Sequence, residues 1–176
     1  MPEHSEQITW MKLSPSIRNF FLPALNKSLL RRILITGLSC YLIFTYLLIP
    51  MRIQGHSMEP TYKNGSFTFC WRPRYLYAEV KRSDIVTVRL SGKNTMLLKR
   101  VVGLSGDTIE FKEGILVRNG KEVVEPYVKY RNPWNLKPRT VESGYVYVVG
   151  DNRGTSMARH RFGHVNQNRI MGGVIP

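Results

Sequence analysis

Nineteen consecutive residues without a charge, Ile33 to Met51 (ILITGLSCYLIFTYLLIPM), constrain this chain more than any other feature. At 1.5 Å per residue, a helix of that length is roughly 28 Å long, about the hydrocarbon thickness of a bilayer. A cleaved secretory leader has a shorter apolar core, ~7–15 residues, and ends at a small-x-small site. Here the run ends in Leu-Leu-Ile-Pro-Met-Arg. The pattern therefore predicts a retained transmembrane anchor over 33–51, which divides the chain into a segment 1–32, the anchor and one domain over 52–176. Arg18, Lys27, Arg31 and Arg32 precede the run with no acid among them. That asymmetry predicts a single-pass protein of the plasma (inner) membrane, with its N-terminus in the cytoplasm and everything after Arg52 on the outer face.

With 26 Lys and Arg against 12 Asp and Glu, the 176 residues carry a formal charge of +14. Such an excess attracts polyanions, nucleic acid or anionic lipid above all. Beside an anchor, a lipid bilayer with anionic headgroups is the expected partner and nucleic acid is not. Cys40 lies within the apolar run and Cys70 in a strand-like stretch, with no C-x-x-C spacing. They read as two buried small hydrophobes, not as a disulfide or a metal site.

Downstream of Arg52 the pattern is β. Runs rich in Val, Ile, Tyr and Phe alternate with Gly, Pro, Asn and Asp, predicting strands near 67–72, 85–90, 96–103, 108–111, 115–118 and 145–149. Asn119-Gly120 between 115–118 and 121–124 is a two-residue hairpin signal. Residues 73–79 have room for one short helical turn, and 130–140, with Pro133 and Pro138, reads as an irregular loop. The fold class is mainly β, a small partly open barrel or sandwich after one N-terminal helix.

Three stretches could carry chemistry. In Gly55-His56-Ser57-Met58-Glu59-Pro60, a tight turn exposes a serine hydroxyl beside a backbone N–H, as acyl transfer requires. The bland alternative is an ordinary turn serine. In the predicted strand 96–103, Lys99 shares a face with Leu97 and Val101, and an ammonium among aliphatic groups is disfavoured relative to the neutral amine that can act as a base. Its alternative is a solvated strand lysine. Arg100, on the other face, stays protonated and cannot be that base. Gly150-Asp151-Asn152 follows a strand, where Asp151 and Asn152 hold a loop in shape.

In order along the chain, these stretches resemble the type I signal peptidase family, Ser/Lys processing peptidases of bacterial and organellar membranes. The resemblance runs from the anchor through Gly55-x-Ser57-Met58-x-Pro60-Thr61, Asp84-Ile85-Val86, Lys99-Arg100-Val101-Val102-Gly103, Gly106-Asp107, and Gly150-Asp151-Asn152 with Ser156 and Phe162-Gly163. It implies an outward-facing β fold with an SH3-like barrel and a serine endopeptidase that removes signal peptides from preproteins. It implies Ser57 as nucleophile, Lys99 as general base, Ser156 as the hydroxyl that positions the lysine amine, and the Ser57 N–H as an oxyanion donor. Met58 then lies beside the substrate groove, and no cofactor or metal is required. One departure stands out. Where the family continues Asp-Ser-Arg, this chain has Ala158-Arg159-His160, so a bracing acid–arginine pair is missing there.

Other readings compete. A Ser57–His160 (or His164)–Asp151 triad lacks the nucleophile-elbow context. A dedicated processor of one pilin or conjugation factor would share every motif above. A tethered binding module without catalysis is the reading from a different class.

Overall fold

The structure is a computed structural model that describes residues 26–89, 96–159 and 163–175. The chain falls into two units, one ending at Leu42 and the other running from Ile43.

In the first unit, helix α1 spans Lys27–Leu42. Its start is capped by Asn26, whose side-chain oxygen accepts from Leu29 N (2.8 Å). None of its residues is buried. Leu30, Ile33, Leu34, Ile35, Leu38 and Tyr41 are all exposed, so the helix is apolar around its circumference. Such a surface suits lipid and not a one-sided protein core. Together with the π-helical turn Ile43–Leu47, the helical stretch Lys27–Leu47 has 21 residues and a mean hydropathy of 1.3, long and apolar enough to cross a membrane. The helical stretch thus begins earlier than the charge-free run and ends before it does. Leu48–Arg52 is strand β1 instead, because Pro50 has no N–H to continue a helix and is tolerated at a sheet edge. Cys40 is exposed on α1, correcting the expectation of burial, whereas Cys70 is buried; both are free.

The second unit is β. Strands β2 (Phe67–Trp71), β3 (Ile85–Arg89), β4 (Met96–Gly103), β9 (Tyr145–Val149), β10 (Gly163–Asn166) and β11 (Ile170–Ile175) join β1 in a seven-stranded sheet ordered β1-β2-β11-β3-β4-β9-β10. Strands β5 (Thr108–Lys112), β6 (Ile115–Arg118), β7 (Lys121–Glu122) and β8 (Leu136–Thr140) form a second sheet ordered β7-β6-β5-β8. Between β6 and β7, Asn119 and Gly120 both take positive φ (53° and 77°), the conformation a two-residue hairpin requires. The short helix α2 (Arg74–Tyr77) is the single turn expected over 73–79.

Strand β8 corrects the expectation of an irregular loop over 130–140. It pairs with β5 through a register shift between Ile109↔Arg139 and Phe111↔Leu136, and Pro138 falls inside that shift, where no ladder N–H is lost.

Two apolar clusters flank β4 and β9. Val86, Val88, Val101, Val146 and Val148 pack on one side. Val102, Ile109, Phe111, Leu116, Trp134, Val141, Tyr147 and Val149 pack on the other, where the second sheet covers the first. Burial on both faces explains why these two strands read as continuous apolar runs. On β2 the pattern alternates instead. Thr68 and Cys70 are buried, while Phe67, Phe69 and Trp71 are exposed on the opposite face.

Candidate functional site

Ser57 sits in the loop between β1 and β2. That loop is closed at its base by Ile53 N→Ser66 O and Gly65 N→Ile53 O, both 2.8 Å. It is cinched further in by Gly55 N→Asn64 Oδ1 (3.0 Å), where Gly55 adopts φ +94°, a left-handed value that glycine takes without strain. Met58, 1% exposed, anchors the turn in the interior. At its rim the His56 ring contacts Glu59 Oε1 (2.8 Å) and holds the Glu59 carboxyl below its ordinary range.

Lys99 lies in mid-β4, opposite Val86 on β3, and is 3% exposed. Its neighbour Arg100 points to the other face and pairs with Asp151 through two bonds, Nε→Oδ1 (2.8 Å) and Nη2→Oδ2 (2.6 Å). Burial works against the Arg100 charge, but the Asp151 bonds outweigh it and keep the guanidinium protonated. Asp151 also accepts from Thr61 Oγ1 (2.5 Å), which ties the Ser57 loop to β4. Asn152 ties the same loop to the end of β9. Its backbone N–H donates to Ser57 O and its Nδ2 to His56 O, each at 3.0 Å.

Behind this loop lies a second buried ion pair. Arg153, 0% exposed, donates Nη2→Glu125 Oε1 (2.7 Å), Nη1→Glu125 Oε2 (3.3 Å) and Nε→Gly150 O (2.7 Å). Tyr127 Oη donates to the same carboxylate (2.8 Å), and its ring lies 3.9 Å under the Arg100 guanidinium. Burial, then the nearby Glu125 charge, push the Tyr127 phenol up, so it remains a donor. Glu125 and Arg153 thus form a buried acid–arginine pair beneath the turn that carries Asn152. Nothing local in the sequence pointed to Glu125, because ion-pair partners 28 residues apart leave no spacing signature.

Two cavities meet at Ser57. One, of about 300 Å³, is lined by His56, Ser57, Leu97, Lys99, Asn152, Thr155 and Arg159. The other, of about 410 Å³, is lined by residues 50–54 and 96–98 with Ser57, Met58 and Thr87. Ser57, Lys99, Asn152 and Met58 are therefore gathered around one locus. Asp151 is turned away toward Arg100. Ser156 is exposed, its carbonyl accepting from Arg159 N (3.0 Å), and Thr155 is the hydroxyl residue on the cavity wall. Arg159 and Thr155 were not anticipated as site residues. Of the triad alternatives, His164 packs edge-on against Tyr145 and Tyr147 on β9, while His160 lies outside the described residues. Among the described residues, no group of three or more His, Cys, Asp or Glu side chains could hold a metal ion. A third cavity, about 640 Å³, lies between 75–80, 104–105 and 167–170 and contains none of these residues.

A serine and a buried lysine on one cavity wall, backed by loops cross-tied through Asn152 and Asp151, suit hydrolytic chemistry. Residues 26–175 match the family described as signal peptidase, peptidase S26. The chain belongs to that family of serine-type peptidases. It is 34% identical over 153 residues to signal peptidase I of Bacillus licheniformis, covering 81% of this chain and 82% of the relative. It is 36% identical over 154 residues to signal peptidase I P of Bacillus subtilis subsp. natto, covering 81% and 83%. A crystal structure of a signal peptidase I from Enterococcus faecalis aligns with 56% of this chain and 98% of its own, at 25% identity and a TM-score of 0.47.

Proposed function

We propose that this protein is a membrane-anchored endopeptidase that cleaves N-terminal signal peptides from preproteins, with Ser57 as nucleophile and Lys99 as general base. The observation that carries the reading is that Ser57 and Lys99 line the same cavity although they come from a loop and a distant strand. Burial of Lys99 supports the role, since desolvation disfavours an ammonium relative to the amine that must accept a proton.

The Lys99 amine takes the Ser57 hydroxyl proton as Oγ attacks the scissile carbonyl. The oxyanion is held by the Ser57 N–H. The C–N bond then breaks, the leaving amine takes the proton back from Lys99, and an ester to Ser57 remains. Lys99 next deprotonates a water that attacks the ester, and the proton returns to Ser57 as the peptide acid leaves. No cofactor enters these steps. Met58 and the apolar cavity beyond Ser57 receive the signal-peptide side of the cut, for which the family resemblance implies small residues at the first and third positions. The hydroxyl that orients the amine is Ser156 by resemblance; the wall position of Thr155 makes it the rival.

The anchor is the stretch around Lys27–Leu47, with the residues before it cytoplasmic and the β unit on the outer face, following the upstream Arg and Lys excess. Exposed Phe67, Phe69 and Trp71 support a β unit lying at the bilayer surface, and the charge of +14 supports attraction to anionic headgroups. The register shifts in β4–β9 and β3–β11 support the SH3-like barrel reading, since bulges are where a sheet gains the curvature a barrel needs.

The test is cleavage of a preprotein with an Ala-x-Ala site by the full chain in detergent. Wild type should cut, and Ser57→Ala and Lys99→Ala should both abolish cutting. Full activity in Lys99→Ala would overturn the dyad. An inert wild type would favour a dedicated processor or a non-catalytic binding module.

A further inference from the structure

The cavity shared by Ser57 and Lys99 is basic. Its described lining carries Lys99, Arg159 and His56 and no Asp or Glu. Four arginines elsewhere are neutralised, Arg100 by Asp151, Arg153 by Glu125, Arg74 by Asp84 and Arg82 by Asp107, so none of those four acids is available to the cavity. The acid nearest along the Ser57 loop, Glu59, is engaged by His56 and so offsets that ring. Among the described residues Arg159 pairs with no carboxylate.

The cavity on the other side of Ser57 has the opposite character. Met51, Ile53, Met58 and Leu98 dominate it, and among the described residues its one charged side chain, Arg52, is exposed with its guanidinium 6.0 Å from the Phe67 ring. Ser57 and Leu97 border both cavities. A polypeptide whose scissile carbonyl meets Ser57 therefore lays its two sides in unlike surroundings. Small apolar residues before the cut suit the apolar cavity, which leaves the first residues after the cut over the basic one.

We propose that Arg159 is a specificity-determining residue that selects substrates with an Asp or Glu side chain at the first or second position after the cut. The proposal rests on the reading of Ser57 and Lys99 given above. A guanidinium grips a carboxylate through a planar two-donor fork, and Arg159 is exposed, so its fork is accessible to a bound chain. The pairing has a second benefit. An unpaired carboxylate beside Lys99 would favour its ammonium form and slow proton transfer, and Arg159 removes that penalty by neutralising it. A lysine at the same substrate positions meets Lys99 and Arg159 with no acid to receive it.

Peptides spanning one Ala-x-Ala site, with Glu, Gln or Lys at each of the two positions after the cut, test this on the full chain in detergent. Wild type should show kcat/KM about 10-fold higher for Glu than Gln, and lower again for Lys, with the difference mainly in KM and shrinking at high salt. Arg159→Gln should level Glu and Gln, and Arg159→Glu should invert the order of Glu and Lys. Equal rates on the three peptides, or a Glu preference that survives Arg159→Gln, would overturn the proposal. Binding of the same peptides to Ser57→Ala separates the two readings. A Glu preference in binding with no cleavage by wild type sinks the dyad and leaves the role of Arg159 in binding standing. Cleavage without any charge preference does the reverse.

Discussion

The backbone N–H of Asn152 donates to the carbonyl oxygen of Ser57 at 3.0 Å, and its side-chain Nδ2 donates to the preceding carbonyl, His56 O, at the same distance. One residue at the end of β9 thus fixes two successive peptide units of the Ser57 loop. Asn152→Ala keeps the backbone bond and loses the bond to His56 O, together with the Oδ1 that accepts from Gly154 N (3.0 Å). Stability should fall by about 1 kcal/mol, read from the thermal midpoint, while kcat/KM falls about 10-fold because the Ser57 peptide is free to tilt. Lost stability with unchanged kcat/KM would restrict Asn152 to a structural role.

Lys99→Arg keeps a long basic side chain but cannot supply a neutral amine, since guanidinium stays protonated throughout the usable pH range. Activity should drop roughly 1,000-fold or more. Wild-type kcat/KM should fall toward acid pH as the amine is protonated. A flat profile from mildly acidic to alkaline conditions would remove Lys99 from the role of base.

Thr155 and Ser156 compete for one task. If the wall residue orients the amine, Thr155→Val should lower kcat and shift the acid limb of the pH profile, while Ser156→Ala leaves both near wild type. The opposite result would return the role to the residue that family resemblance assigns.

Arg153→Met strands the Glu125 carboxylate in the interior. Breaking one side of a buried pair costs about 3–5 kcal/mol, whereas replacing both partners with apolar groups costs far less. The denaturant midpoint should drop sharply for Arg153→Met and recover in part in Arg153→Met/Glu125→Leu.

Asp107 sets an acid limit. Burial acts to raise its pKa, but the Arg82 fork, Leu104 N–H and Asn119 Nδ2 together lower it to about 2 from an ordinary 3.8. A depressed folded-state pKa adds stability that is complete above the unfolded value and is lost as pH falls from about 4 through 2. Asp107→Asn should therefore be less stable at neutral pH, by roughly 1.5–3 kcal/mol. It should also lose less stability than wild type between pH 5 and 2, as urea midpoints would show.

The strands Met96–Gly103, Ile115–Arg118 and Tyr145–Val149 were legible because each is apolar, β-branched and bounded by turn residues. Strand β8 was hidden by Pro138, which only the knowledge of an edge position and a bulge excuses. Strand β11 was hidden by Gly172-Gly173. Yet a Cβ at Gly172 would lie 2.4 Å from Trp71 O, so the glycine is what lets the strand slide between its neighbours. The motifs singled out Ser57, Lys99 and Asn152, and the fold brings all three to one cavity. They could not reveal the Arg153–Glu125 pair or the basic wall at Arg159, which arise when distant stretches meet.

Strand β11 lies between β2 and β3, and Thr68 Oγ1 on β2 donates to Ile175 O across 107 residues of chain. The hairpin that carries the proposed nucleophile and the strand that carries the proposed base share a sheet only because this late segment joins them. On the proposed dyad, pairing of Ile170–Ile175 with both neighbours completes the sheet that carries its two halves.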